Sequence, residues 1–273
     1  MNYYDEDFKP WEIVDGQCVV ADEAEWSKLV RLNDESDRNS FVWEQDLRPI
    51  VKLTTDIFED VKGPLVDGNG NNLFVDMSNG NIVPFKGVSQ NPKARVSNIL
   101  KRFFQTIDAT LHVDYLIVTQ RPELVREKWP MWHRETMAGR DEWEETLENV
   151  ILATYVETQS DIERLVPELL KCHDLCKGLA VVCNPKEKLD FREVNLGASA
   201  DNYFYVDSLA GDWVQEDVGD RENPPSTMCH DDGPSLNLII AEGNEHPIHP
   251  QWVRCLRDQC LDAGVEFKEV SNE

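Results

Sequence analysis

Residues 150–183, VILATYVETQSDIERLVPELLKCHDLCKGLAVVC, read as a strand, a helix and a second strand. Val150 to Val156 and Leu179 to Cys183 are apolar almost without interruption, as strands covered on both faces are. Between them Ser160 and Glu163 have the spacing of a capping box, and Ile162, Leu165, Val166 and Leu169 fall on one side of a helix. Two such strands joined through a helix must run parallel, since only a crossover returns the chain to the same end of a sheet.

The same rhythm extends both ways. Upstream, Asn72 to Met77 (NLFVDM) reads as a buried strand, Ala94 to Asp108 as a helix with Val96, Ile99, Leu100, Phe103 and Ile107 at helical spacing, and Tyr115 to Thr119 (YLIVT) as another strand. Pro122 opens a short helix at the position where its missing N–H costs nothing. Downstream, Leu236 to Ala241 (LNLIIA) gives a strand, Pro250 to Leu261 a helix ended by Gly264, and Val265 to Phe267 a final strand. The expected fold is α/β, a partial or complete (β/α) barrel over residues 63–273, with a polar insert near 199–235 whose Gly211 to Pro234 portion reads as a mobile loop. Residues 1–62 fit the rhythm less well. They hold an acidic helix from Ala21 to Leu32, built on Trp26, Leu29 and Val30, and a strand from Ile50 to Thr54, and are read as an acidic N-terminal extension that can supply one unit of the barrel.

The chain has 273 residues, with 27 Lys and Arg against 52 Asp and Glu and a net charge of −25. Such a field repels phosphate and anionic lipid, so generic DNA, RNA or membrane binding is disfavoured and a protein partner stays open. The acids concentrate in residues 1–62, 123–170 and 199–273, whereas residues 63–122 carry 4 acids against 6 bases. No apolar run reaches the roughly 18 residues of a membrane span, and the start MNYYDEDFKPWE is acidic where a signal peptide is basic, so a soluble, cytoplasmic chain is expected. Its 7 Cys show no disulfide framework and read as reduced thiols.

Several segments together are similar to one family. The stretch His249-Pro-Gln-Trp-Val-Arg-Cys-Leu-Arg-Asp-Gln-Cys-Leu-Asp-Ala-Gly-Val-Glu-Phe267 resembles the C-terminal signature of the phage-associated, radical-SAM-like family named after bacteriophage gene products. Val118-Thr-Gln-Arg-Pro-Glu123 resembles its arginine-proline loop, Val156-Glu-Thr-Gln159 with Pro167 its next strand and helix, and Cys183-Asn-Pro185 with Leu189-Asp190 its later turn. The resemblance covers residues 71–191 and 236–267. It implies a (β/α) barrel related to radical SAM enzymes such as spore photoproduct lyase, with a [4Fe-4S] iron-sulfur cluster and S-adenosylmethionine. Its cluster ligands are missing here, because three closely spaced cysteines are needed and Cys18 is the only one before Cys172. Gln120 stands where the family has lysine, and Asn184 where it has glutamate. The expectation is a degenerate, cluster-less relative: a ligand- or partner-binding pseudoenzyme, not an active radical SAM enzyme, with no cofactor.

Other residues are of types that carry different chemistry. Cys172, Cys176 and Cys183 offer three thiols, but a five-residue strand would hold Cys183 about 16 Å from the others at roughly 3.3 Å per residue. Glu242, Glu245, His246 and His249 are of metal-ligating type, although Pro247 and Pro250 break any helical spacing and His249 equally suits a helix cap. Asp67-Gly-Asn-Gly-Asn71 begins like a calcium loop and then departs from it, having Asn72 at the sixth position and Ser78 at the twelfth. No phosphate-cradling glycine loop or serine-hydrolase elbow is present. The polar residues expected at strand ends are Asp76, Ser78, Thr119, Gln120, Arg121, Glu157, Asn184 and Glu242. In a barrel these collect at one mouth, where Arg121 beside Glu157 and Glu242 would suit an anionic or zwitterionic ligand. Two further expectations are a metal-assisted enzyme using that mouth and an acidic nucleic-acid mimic in phage-host conflict.

Overall fold

The computed structural model describes residues 6–43, 48–61, 63–85, 91–129, 147–199, 202–217, 226–230, 233–243 and 248–271. Along the chain come β1 (Glu6–Phe8), β2 (Trp11–Val14), β3 (Gln17–Val20), α1 (Glu23–Trp43) and β4 (Ile50–Leu53). Three short strands follow, β5 (Leu65–Val66), β6 (Leu73–Val75) and β7 (Ile82–Pro84), then α2 (Val96–Ala109) and β8 (Asp114–Thr119). A 3-10 turn (Pro122–Leu124) runs into the short α3 (Val125–Lys128). The series continues with β9 (Leu147–Val156), α4 (Gln159–Leu170) and β10 (Cys176–Cys183). Next are β11 (Val194–Ser199), β12 (Asn202–Asp207), β13 (Asp212–Asp217) and β14 (Ser226–His230), and finally β15 (Leu238–Gly243), α5 (Pro250–Ala263) and β16 (Glu266–Ser271).

Seven strands share one sheet in the order β1-β4-β8-β9-β10-β15-β16. The pairs β1/β4, β4/β8, β10/β15 and β15/β16 are all parallel. The order never reverses: each new strand adds beside its predecessor. That is the strand order of a (β/α) half-barrel and not of a doubly wound sheet, which grows from its middle in both directions. The expected α/β class with a barrel-like parallel sheet is therefore present, and residues 6–8 and 50–53 supply its first two strands.

Two compact units can be described separately. The first comprises Tyr4–Ile117 and Trp129–Val150. Its core is aromatic: Phe8 lies edge-on to Trp26 at 5.0 Å and stacks on Phe103 at 6.2 Å, while Phe104 meets Trp129 at 5.1 Å. Ile99, Phe103, Phe104 and Ile107 of α2 are all buried, so its helical apolar stripe is the core face. Outside this core Arg102 donates two hydrogen bonds to Glu23, at 2.8 and 2.7 Å, and covers the Trp26 ring. Val30, expected on the buried side of α1, is 48% exposed. Strand β6 forms as expected but pairs antiparallel with β7, so the Asp76 end is a hairpin turn and not the end of a parallel strand.

The second unit comprises Met1–Tyr3, Val118–Lys128 and Ile151–Glu273. Strand β10 is buried over Leu179–Cys183, the pattern of a parallel strand covered on both faces. Helix α4 buries Ile162, Leu165, Val166 and Leu169 along one side. Its cap lies two residues earlier than the sequence pattern predicts: the Asp161 carboxylate accepts from Thr158 N–H at 3.1 Å, and Thr158 Oγ1 accepts from Asp161 N–H at 3.3 Å. Helix α5 starts on Pro250 and ends on Gly264, whose φ of +73° gives the left-handed stop.

The insert is structured where it is described. Residues 194–230 include the antiparallel meander β11-β12-β13-β14, and β11 packs against α4. Gly211 to Pro234, expected as a mobile loop, instead includes β13 and β14; residues 218–225 and 231–232 of it lie outside the described residues. The meander thus stands where a helix would ordinarily make the crossover from β10 to β15. Ser208 N–H and Oγ both donate to the Phe191 carbonyl, at 3.0 and 2.8 Å, and Leu236 N–H donates to Ser208 O at 2.7 Å. Gln259 on α5 completes the attachment. It is 5% exposed, accepts from Phe191 N–H at 3.0 Å and donates to Leu189 O at 2.9 Å.

Gly211 turns the chain between β12 and β13 with φ +78°, and a Cβ there would come within 2.6 Å of the Gly233 carbonyl oxygen. Gly16 has nearly the same conformation, φ +76°, with nothing near its missing Cβ. Gly16→Ala should therefore cost about 1 kcal/mol from backbone strain alone, and Gly211→Ala about 1–3 kcal/mol more because backbone must also move. Urea unfolding of both variants checks this. Equal losses would show that the Gly233 carbonyl yields freely.

Candidate functional site

Strands β8, β9, β10 and β15 are consecutive in the sheet, and four of the expected residues stand at their carboxyl ends. Thr119 closes β8 and is fully buried, with its carbonyl accepting from Thr154 Oγ1 at 2.8 Å. Its hydroxyl accepts from Arg121 N–H at 2.9 Å, which turns the chain out of the strand. Gln120 is exposed. Arg121 Nε donates to Glu123 Oε1 at 2.5 Å. Burial acts to raise the Glu123 carboxyl, but the hydrogen bond from Arg121, a backbone hydrogen bond and the nearby Arg121 and Arg164 charges together outweigh it, so the group is held below its ordinary range.

Glu157 follows β9. Its Oε2 takes the Lys186 ammonium at 2.5 Å, and its Oε1 accepts from the Tyr155 hydroxyl at 3.3 Å. Asn184 follows β10, half-buried, with its N–H donating to Val156 O at 3.1 Å. Glu242 near the end of β15 is 7% exposed, one residue beyond Ala241, which is paired with Cys183. Its carboxylate is close enough to help raise the Cys183 thiol, after burial and after Cys260. The charge partner of Glu157 is thus Lys186, which the sequence pattern did not single out. The signal was available: Lys186 lies three residues beyond a buried strand, in the loop that reaches the functional edge of a parallel sheet.

Asp76 and Ser78 belong to the first unit and make the β6–β7 turn. Asp76 Oδ1 accepts from Ser78 N–H at 2.9 Å and from Ser78 Oγ at 2.7 Å, and these bonds hold its carboxyl below the usual range. Asp67 does the same work in its own turn, accepting from the N–H groups of Asn69 and Asn71. Both residues stabilise the local backbone.

Of the expected metal ligands, Glu245 and His246 lie outside the described residues. His249 caps α5: its Nδ1 accepts from Gln251 N–H at 3.3 Å, and its ring lies 5.2 Å from that of Trp252. Among the described residues no three His, Cys, Asp or Glu side chains form a metal-binding group. The three clustered-looking thiols also fail the geometry of an iron-sulfur cluster. Cys176 begins β10 and Cys183 ends it. Eight residues of strand set them roughly 23 Å apart, far beyond what one cluster spans. Cys172 belongs with Cys176: their thiols point to the carbonyls of Glu168, at 3.7 Å, and Gly178, at 3.2 Å. These cysteines do not fit the cluster that the family resemblance implies.

Residues 89–269 match a family described as "Protein of unknown function (DUF5131)". No curated protein and no solved structure matches the chain significantly. The matched region runs from just before α2 into β16 and takes in every strand end that carries the candidate site, and over that span the chain belongs to the DUF5131 family.

Proposed function

We propose that this chain is a binding protein that recognises a small zwitterionic ligand at the carboxyl ends of β8, β9, β10 and β15, without radical chemistry. One observation carries the reading. Four consecutive strands of a parallel sheet end on a hydroxyl, a carboxylate, an amide and a second carboxylate: Thr119, Glu157, Asn184 and Glu242. Parallel sheets bind ligands at this edge, because loops of free sequence meet there above a rigid scaffold. Arg121 and Lys186 add positive charge beside the acids, which suits a ligand bearing both signs.

The resemblance to radical-SAM-like barrels enters as ancestry: a chain that keeps the scaffold and has lost the cluster. The thiol chemistry supports this. Burial pushes Cys172 up to about 12 and Cys176 up to about 11, and Cys183 is raised further by burial, by Cys260 and by Glu242. Burial thus disfavours the thiolate form that iron would take.

Three measurements test this. Alkylation of the folded protein by iodoacetamide at pH 8, read by peptide mass spectrometry, should label half-buried Cys255 at least about tenfold faster than Cys172, Cys176, Cys183 and Cys260. Comparable rates would remove the burial argument. Calorimetric titration with S-adenosylmethionine, S-adenosylhomocysteine and methionine should find saturable binding of at least one, weakened about tenfold or more by Glu242→Gln and unchanged by Ser78→Ala. Equal effects of the two substitutions, or no binding, would count against the site. Anaerobic reconstitution giving a stoichiometric cluster that cleaves S-adenosylmethionine would overturn the reading outright.

A further inference from the structure

The loop after β10 is held down in an unusual way. Pro185 and Leu189 are buried, and between them Lys186, Glu187 and Lys188 are all exposed. Three contacts tie this short arch to the end of β9 and the start of α4. Lys186 N–H donates to Glu157 O at 2.9 Å, the Lys186 ammonium pairs with the Glu157 carboxylate at 2.5 Å, and Glu187 Oε1 accepts from Gln159 N–H at 2.7 Å. None of the three is backed by apolar burial of the arch itself. Both of its ends are firmly set. On one side Asn184 N–H donates to Val156 O; on the other, Gln159 and Asp190 exchange two hydrogen bonds, at 2.9 and 2.8 Å, and buried Gln259 holds Leu189 O.

An arch with fixed ends and a polar, solvent-exposed middle opens without disturbing its surroundings, since few buried contacts must break. We infer that Lys186–Lys188 is a flap that lifts locally and as one unit from the end of β9, and that its closed form occupies the Glu157 carboxylate with the protein's own ammonium. The inference rests on the proposed ligand site at these strand ends. Lifting the flap removes the Lys186 charge from Glu157 and withdraws Glu187 from α4 in the same movement. The closed flap therefore competes with any ligand ammonium for Glu157, and ligand affinity is reduced by the fraction of time the flap is shut.

Native-state hydrogen exchange tests this on the full chain. The amides of Lys186 and Gln159 sit on opposite sides of the contact and should exchange through one opening event, about tenfold or more faster than those of Asn184 and Asp190. Coupling is the decisive reading. Lys186→Met, which leaves the Glu187 contact intact, should speed exchange at the Gln159 amide by about two- to fivefold. Glu187→Ala should do the same at the Lys186 amide. Both substitutions are at exposed positions, so folding is preserved. Variants that each affect only their own contact would overturn the flap, as would Asn184 and Asp190 amides exchanging at the same rate as Lys186. Uncoupled exchange with ligand binding intact would remove the flap alone; coupled exchange without binding by any probe would remove the ligand reading alone.

Discussion

Parallel pairing imposes a constraint that most of this architecture answers to. A parallel strand cannot be reached through a tight turn, so every step from one sheet strand to the next requires a crossover long enough to carry the chain back along the sheet. Because the strand order never reverses, successive crossovers have the same sense and the strand carboxyl ends stay in sequence along one edge. Polar side chains placed just after each strand then become neighbours although they are distant along the chain. Thr119, Glu157, Asn184 and Glu242 are brought into series in this way by backbone pairing alone.

The crossovers need not be alike. Between β9 and β10, and between β15 and β16, a helix does the work, and its apolar stripe matches a strand that is itself apolar. Between β10 and β15 an antiparallel meander substitutes. A meander leaves backbone amides and carbonyls along its outer strands, where a helix leaves them only at its ends, and those must be satisfied where they are buried. Ser208 and Gln259 meet that need by bonding to the backbone of Leu189 and Phe191. A buried glutamine thereby ties helix α5 to the segment that leads into the meander.

Much of the fold was legible because hydrophobic period is a physical requirement of burial. Val150–Val156, Leu179–Cys183 and the stripes on α2 and α4 follow directly from it. Period does not reveal pairing partners, however. NLFVDM reads as a sheet strand because its residues are apolar, and only its antiparallel partner β7 makes it a hairpin. The insert departs from its expected loop for a related reason: its Gly and Pro content suggests turns, and the strands between those turns are short. Ser160 fits the capping pattern as Thr158 does, and the two differ only in which hydroxyl meets the first turn; in the structure it is Thr158. At the candidate site the strand-end residues are legible, and so is the place of Lys186 just after β10, whereas its pairing with Glu157 depends on which strand lies next to β10.

The sheet has two outer strands, β1 and β16, each paired on one side among the described residues. A strand with an unoccupied side is an invitation to another chain. On β16 that invitation is met with charge: Glu266, Lys268 and Glu269 stand along it, with Lys268 and Glu266 paired at 2.7 Å and Arg257 bound to Glu269. A net charge of −25 adds a long-range version of the same refusal. The acidity of the chain and the charges on this strand act in the same sense, opposing edge-to-edge stacking of a sheet with an outer strand, and that repulsion weakens as acid brings the chain toward its isoelectric point near 4.5.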